Sequence, residues 1–376
     1  MNHLAIVRSC STPLNLKRYN IQEIGLAKSL LKIRNNLQID FYSKFANMER
    51  WEEKQYGRLR LINTPLLALP GNQGFSFLIL TKLTKNNYNY IQIHDDSQLL
   101  NLLIIFFNKL IYKKVIILYQ GMYEPYSGFP RLFQIIYNFL FMKFFCKNVG
   151  ITLAKTYYAK QYLENLGFSN VKIVPVGIDI NKILNYTEIV DKKINSFINS
   201  HDFILIYIGV FEKRRNVPFT IKVFEMCKTL IGGAGLVLVG NGPDKAKISS
   251  LINNSSFKNS ILCINSIEHN KIANIYKTCS CFLLPTLNEI YGMVILECVL
   301  FGLPIITTDN AGSNQIKNIT NWEGLFIEEL NPKKWVDLIK SIVTFKKSHF
   351  IKSADKIKHK LYWDNSATLY LKATKI

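Results

Sequence analysis

Short apolar runs alternate with longer stretches of helical periodicity over most of this chain. Tyr90–His94, Lys114–Tyr119, Val149–Leu153 and Val171–Pro175 read as strands, with helical patterns running to Leu110, over 131–146 and up to Gly167 between them. The opening Met-Asn-His-Leu-Ala-Ile-Val reads as a first strand, and Glu23–Lys32 as a first helix. Strands separated by helices in this way predict βαβ units and a parallel sheet flanked by helices. A Lys-, Asn- and Ile-rich stretch over 180–200 interrupts the rhythm, which then restarts. Strands are predicted at 203–208, 236–239, 280–285 and 303–307, and helices at 217–230, 292–301, 333–347 and after Trp363. Two α/β units in tandem, joined near 177–200, are the expected organisation.

Two segments, 99–112 and 132–145, are apolar enough to raise the question of a membrane span, which needs about 18 uncharged residues. Lys109, Lys113 and Lys114 cut the first short, and Gln134, Asn138 and Lys143 interrupt the second, so neither is expected to cross a bilayer. The apolar part of the N-terminus is too short for a signal peptide. Seven cysteines, without a CxxC pair or zinc-ligand spacing, read as buried free thiols in a reducing cytoplasm.

Composition adds charge to this picture. Of 376 residues 48% are hydrophobic and 19% charged, which supplies a core and excludes disorder as the main state. Lys and Arg number 47 against 26 Asp and Glu, a formal net charge of +21. That excess points to an anionic partner: nucleic acid, an anionic membrane or a phosphorylated substrate. Lys far outnumbers Arg, and Asn, Ile, Tyr and Phe are abundant, so part of the excess reads as compositional bias.

Two stretches carry candidate chemistry. In Pro285-Thr-Leu-Asn-Glu289-Ile-Tyr-Gly292-Met-Val-Ile-Leu-Glu297, a strand ends, a loop carries Glu289, and a helix opens on Gly-Met-Val. The unpaired N–H groups of such a helix start suit an anion, above all phosphate. Carboxylates flanking a phosphate site make sense as acceptors for sugar hydroxyls; the plainer alternative makes Glu289 a helix cap and Glu297 a solvated residue. In Tyr207-Ile-Gly209-Val-Phe-Glu-Lys213-Arg214-Arg215-Asn216 a strand feeds a loop with three consecutive cations. At the C-terminal edge of a parallel sheet these face the ligand crevice; taken alone, they read as a solvated basic turn.

Together the two stretches resemble the group 1, or family 4, retaining glycosyltransferases. Glu289 and Glu297 fit the family's Glu-x7-Glu hallmark, with the preceding Pro285, Gly292 and the following Gly302-Leu-Pro-Ile-Ile. Pro175-Val-Gly-Ile-Asp179, Gly209–Asn216, Val239-Gly-Asn-Gly-Pro243 and Trp363-Asp-Asn-Ser-Ala are similar to further family stations, in the expected order. The resemblance implies a GT-B fold, two Rossmann-like domains facing across a cleft with the last helix crossing back to the N-terminal one. The N-terminal, acceptor-binding domain is expected over 1–178 with the returning helix 360–376, and the nucleotide-sugar domain over 179–359. By resemblance, Glu297 holds the ribose hydroxyls and Glu289 the donor sugar, while the amides of Gly292, Met293 and Val294 and the side chain of Arg215 bind the diphosphate near Gly209. His94 contacts the donor sugar, and Gln120-Gly121 lies near donor and acceptor.

Departures from the family pattern accompany this match. Val210 stands where an Arg is usual, leaving Lys213 or Arg214 to substitute. Ile290 replaces a frequent Gly, Gln92 replaces the first His of a His-x-His pattern, and no Gly-Gly loop follows the first strand. The lack of any Asp-x-Asp argues against a metal on the diphosphate, and no cofactor is expected beyond the donor itself.

The expected function is sugar transfer to a sugar or lipid-linked saccharide acceptor, in the making of a bacterial capsule, O-antigen or exopolysaccharide. The expected location is cytoplasmic, with peripheral association through 99–147 at the inner face of the membrane. Lys113, Lys114, Arg131, Lys143, Lys147, Lys155 and Lys160 lie in the N-terminal domain around the most apolar helices. The plainer alternative is that these helices are core, with lysines snorkelling at their ends. The rival readings are a catalytically inactive partner subunit, prompted by Val210 and Ile290, a related phosphorylase or epimerase, and a nucleic-acid binder. The last has no reading motif to support it.

Overall fold

The computed structural model describes residues 2–376 except 18–19, 47, 50, 71, 127, 181–182 and 184–191. Much of the expected linker over 180–200 therefore lies outside the described residues. The chain divides into two compact units, Met1–Ile178 with Tyr362–Ile376, and Asp179–Leu361.

The first unit begins with β1 (Asn2–Val7), α1 (Gln22–Ile33) and β2 (Leu37–Ser43). The pattern made no prediction over the next stretch, which holds β3 (Glu53–Tyr56), β4 (Leu59–Asn63), the hairpin of β5 (Leu67–Leu69) and β6 (Gln73–Phe75), and α2 (Phe77–Lys85). The expected rhythm follows: β7 (Tyr90–His94), α3 (Leu99–Phe107), β8 (Val115–Gln120), α4 (Phe129–Asn148), β9 (Ile151–Ala154), α5 (Tyr157–Asn165) and β10 (Lys172–Ile173). The expected strand over 171–175 shrinks to two residues. The helix expected to reach Leu110 passes into a π-helical turn at Asn108–Tyr112, closed by Lys113 in the left-handed region.

These strands form an eight-stranded sheet in the order β10-β9-β8-β7-β1-β2-β4-β3, parallel except for β3. Chain order reverses between β1 and β7, which pair in register from Leu4 with Tyr90 to Val7 with Ile93. Buried apolar residues such as Leu4, Ile6, Ile91, Ile93 and Leu118 fill its strands, as a parallel sheet covered on both faces requires.

In the second unit come α6 (Lys192–Asn199), β11 (Phe203–Ile208), α7 (Val217–Ile231), β12 (Ala234–Val239), α8 (Lys245–Asn254), β13 (Ile261–Ile264) and α9 (His269–Thr278). After these follow β14 (Cys281–Leu284), α10 (Met293–Phe301), β15 (Ile305–Thr307), α11 (Ala311–Thr320) and β16 (Leu325–Ile327). The helix expected over 333–347 is two, α12 (Pro332–Thr344) and α13 (Lys347–Asp355). All six strands are parallel, in the order β13-β12-β11-β14-β15-β16. Counted within the unit this is 3-2-1-4-5-6, the doubly wound nucleotide-binding order, whose ligand crevice opens where the order reverses. That point lies between β11 and β14.

The C-terminal helix α14 (Trp363–Thr374) belongs to the first unit and packs on α1. Its Trp363 sits on Gly25 and Gly177, where a Cβ on Gly177 would lie 2.6 Å from the Trp363 nitrogen. Trp363 Nε1 donates to Asn20 Oδ1 at 3.1 Å, and Lys32 pairs with Asp364 at 2.5 Å.

Candidate active site

Both stretches singled out in the sequence leave the sheet of the second unit at its switch point. β11 runs into Gly209 and a single 3₁₀ turn over Lys213–Arg215, and β14 runs into the loop that carries Glu289. The two loops are laced together. Leu287 N donates to Arg214 O at 2.7 Å, Thr286 Oγ1 donates to the same carbonyl at 3.3 Å, and Arg214 Nη1 donates to Asn288 O at 3.0 Å. Side chains that begin 74 residues apart in sequence are thereby brought together.

The central contact is an ion pair between Arg215 Nη1 and Glu289 Oε2, both largely shielded from solvent. The Nε of Arg215 is buried and makes no hydrogen bond among the described residues, lying 3.8 Å from Glu212 Oε1. Arg214 pairs with the same Glu212 at 2.7 Å, and Lys213 is exposed. Gly292 occupies the N-cap of the helix that follows, in the left-handed region at φ 71°. A Cβ at Gly292 would meet Ile295 Cδ1 at 2.9 Å and Glu289 Cγ at 3.2 Å. Glycine therefore sets the backbone turn and gives Glu289 room beside the positive helix end.

Glu297, in the second turn of α10, is buried, and Tyr276 Oη of α9 donates to its Oε2 at 2.6 Å. Burial pushes its carboxyl up to about 8, so it holds its proton at neutral pH. It is not the solvated residue of the plainer alternative. Val210 and Ile290 are exposed, and the carbonyl of Val210 is held by Tyr207 Oη at 3.1 Å. Among the described residues no group of three His, Cys, Asp or Glu side chains is placed to hold a metal ion.

Residues 189–358 match the family model described as glycosyl transferases group 1, a span that takes in nearly all of the second unit. This unit belongs to the group 1 glycosyl transferases. A glycosyltransferase of Methanocaldococcus jannaschii is 25% identical over 248 residues, covering 61% of this chain and 60% of its own. A sucrose-phosphate synthase of rice is 26% identical over 164 residues, which are 39% of this chain and 15% of that protein. The chain thus spans 60% or less of these relatives. Among solved structures, a UDP-forming trehalose-phosphate synthase from Burkholderia xenovorans matches with TM-score 0.73 at 12% identity, covering 100% of this chain and 99% of that one. The two-unit α/β fold of the whole chain is therefore the GT-B fold.

Beside the transferase unit, the N-terminal unit has its own set of polar groups at a switch point. His94 ends β7 next to β1 and is buried. Burial, reinforced by Lys155 and Arg8 against an opposing effect of Glu23, pushes the imidazole down to about 4. His94 is thus neutral at physiological pH. Gln92 Nε2 lies 3.0 Å from its Nε2, and Gln92 Oε1 accepts from Tyr370 Oη of α14 at 2.6 Å. With its carbonyl so engaged, Gln92 donates to His94, leaving the imidazole hydrogen on Nδ1.

Gln120 is buried, and its Nε2 donates to Asp96 Oδ1 at 2.9 Å while its Oε1 finds no donor among the described residues. Burial, together with Asp95, pushes the Asp96 carboxyl up to about 6.

Sequence reasoning missed several of these groups. Tyr276, Tyr370, Asp96 and Asn101 act through contacts far apart in the chain, and no local pattern marks them. Asn101 illustrates the point: it donates to Asp95 O at 2.7 Å and accepts from Ser9 Oγ at 2.5 Å, joining the ends of β7 and β1. Glu23 and Lys155 had a weaker signal, Glu23 as the charge that opens the expected first helix and Lys155 as one just after the expected strand Val149–Leu153.

Proposed function

We propose that this chain transfers a sugar from a nucleoside diphosphate to an acceptor hydroxyl with retention at the anomeric carbon, and that no metal carries the diphosphate. The observation that carries this reading is the meeting of Arg215, Glu289 and the helix start at Gly292 at the switch point of the second unit. In the proposal the diphosphate lies against the amides of Gly292, Met293 and Val294, near Gly209. Arg215 turns from Glu289 to the phosphate oxygens, and Lys213 and Arg214 add positive potential. A planar, permanently charged guanidinium suits that exchange.

Glu289, released from its ion pair, accepts hydrogen bonds from the donor sugar, and Glu297 accepts from the ribose hydroxyls. By the family resemblance, neutral His94 serves the donor sugar and Gln120 lies near the acceptor. As the glycosidic bond breaks, negative charge grows on the leaving phosphate oxygen. Each preorganised donor aimed at such charge is worth about 3–4 kcal/mol. The leaving diphosphate then takes the acceptor proton.

The acceptor we propose is a sugar or a lipid-linked saccharide, and the setting is bacterial surface polysaccharide synthesis at the inner face of the cytoplasmic membrane. The family resemblance and the basic, apolar stretch 99–147 support that placement. Thermal shifts with UDP, GDP and ADP and their sugars identify the donor, UDP first because a protein of the same fold is UDP-forming. With that donor, Arg215→Ala is expected to lower turnover about 10²- to 10³-fold. Near-normal turnover overturns the assignment.

A further inference from the structure

Helix α4 is inside out over its first three turns. Along a helix, residues spaced by three and four share a face, and here the inward face begins with Gln134 and Asn138 before it reaches Met142 and Phe145. Gln134 is only 6% exposed; it accepts from Tyr126 N at 2.7 Å and donates to Tyr162 Oη at 3.2 Å. The outward face presents Leu132, Ile135, Ile136, Phe139 and Leu140 to solvent, with Phe139 87% exposed. A core helix would carry the reverse pattern.

The apolar surface continues beyond α4. Phe106 of α3 lies 6.5 Å from Phe144 between ring centroids, and the exposed Leu110 and Ile111 follow in the π-helical turn. Contiguous exposed apolar surface of this kind marks a binding face.

We infer that this face of the first unit docks on an anionic lipid bilayer, with α4 lying in the plane of the interface. Charge selects that occupant. Over 99–148 there are six cations, Lys109, Lys113, Lys114, Arg131, Lys143 and Lys147, against the single acid Glu124. Arg131 stands at the start of α4, and Lys143 and Lys147 extend its outward face after the apolar residues end. The twelve steps from Arg131 to Lys143 span about 18 Å at 1.5 Å per residue. Lys109 reaches over Phe144, its Nζ 5.5 Å from the ring centroid.

An apolar stripe ending in cations buries roughly 5–10 Å into the headgroup boundary, its lysines reaching phosphate. A second copy fits poorly. A two-fold contact through this face sets the same cations against themselves, whereas anionic headgroups neutralise them. No helix of the described residues is long and apolar enough to cross the membrane, so the inference is of a helix lying on the bilayer. It stands on the first unit alone and does not depend on the donor chemistry proposed above.

Flotation of the full chain with vesicles of phosphatidylcholine containing phosphatidylglycerol, against phosphatidylcholine alone, tests it. Wild type is expected to float with the anionic vesicles at low salt. Phe139→Ser with Leu140→Ser should reduce partitioning at least tenfold, and Lys143→Glu with Lys147→Glu should abolish the preference for phosphatidylglycerol. These side chains are exposed, so the variants should melt no lower than wild type. Phe139→Trp should blue-shift its emission on vesicle addition. Wild type that stays at the bottom of the gradient, or a serine pair that floats as wild type does, overturns the inference. So does a concentration-dependent dimer abolished by the serine pair, without flotation.

Discussion

Glu289 and Glu297 belong to one motif, yet their surroundings make them chemically different. Glu289 is paired with Arg215, whereas Glu297 is buried with a tyrosine hydroxyl as its hydrogen-bond donor and carries a proton up to about pH 8. The unfolded chain releases that proton near 4.5. Between these values the folded protein binds more protons, so this residue's contribution to stability falls as pH rises. Each pKa unit is worth about 1.4 kcal/mol. Glu297→Gln keeps an acceptor for Tyr276 and removes the titration. The variant should melt close to wild type at pH 5 and roughly 5 °C or more above it at pH 9. Thermal melts across that range check it, and a constant gap would show that Glu297 does not titrate there. In the proposed role the ionised carboxylate is the better ribose acceptor, so nucleotide affinity should rise with pH toward 9 in wild type and stay flat in the variant.

At the scale of elements, α14 reaches a central strand of the sheet, β7, through one hydroxyl. Tyr370 donates to Gln92, and Gln92 in turn donates to His94. Tyr370→Phe leaves the amide oxygen of Gln92 buried without its donor, and such a loss costs about 1–3 kcal/mol. The amide is then free to rotate and present its oxygen to His94, which favours the other tautomer. Nitrogen-15 chemical shifts of His94 should move from the Nδ1–H toward the Nε2–H pattern. An unchanged tautomer would show that packing, and not this relay, fixes the ring.

The rhythm of β7 to α5, of β11 to β12 and of β14 to β15 was legible in the sequence because each strand is a short apolar run bounded by turn residues, whereas α8, β13 and α9 were not read. Residues 34–86 were not, since β3, β5 and β6 are short and half-exposed, and their pairing is decided by distant partners. For α4 the sequence showed apolar content but not direction. Only the buried Gln134 and the exposed Phe139 reveal that its polarity is reversed.

For the whole molecule, the arrangement of units makes the last fifteen residues part of the first unit's core. Trp363, Ala367, Tyr370 and Leu371 are buried there, Asp364 accepts from Ser29 Oγ at 2.9 Å, and Ile178 bridges to Tyr362. The spacing of Glu289 and Glu297 was readable in sequence, but the support that Tyr370 gives to Gln92 and His94 depends on this long-range return. Burial of a large apolar side chain is worth about 1.5–3 kcal/mol. Losing Trp363, Tyr370 and Leu371 together therefore removes roughly 5 kcal/mol or more, a large share of the about 5–15 kcal/mol that holds a typical domain. The second unit, Asp179–Leu361, keeps its own six-stranded sheet and core. A chain ending at Leu361 should thus lose hydrogen-exchange protection in β1, α1 and β7, while β11, β12 and β14 stay protected. Equal loss in both sheets would show that the two units unfold as one.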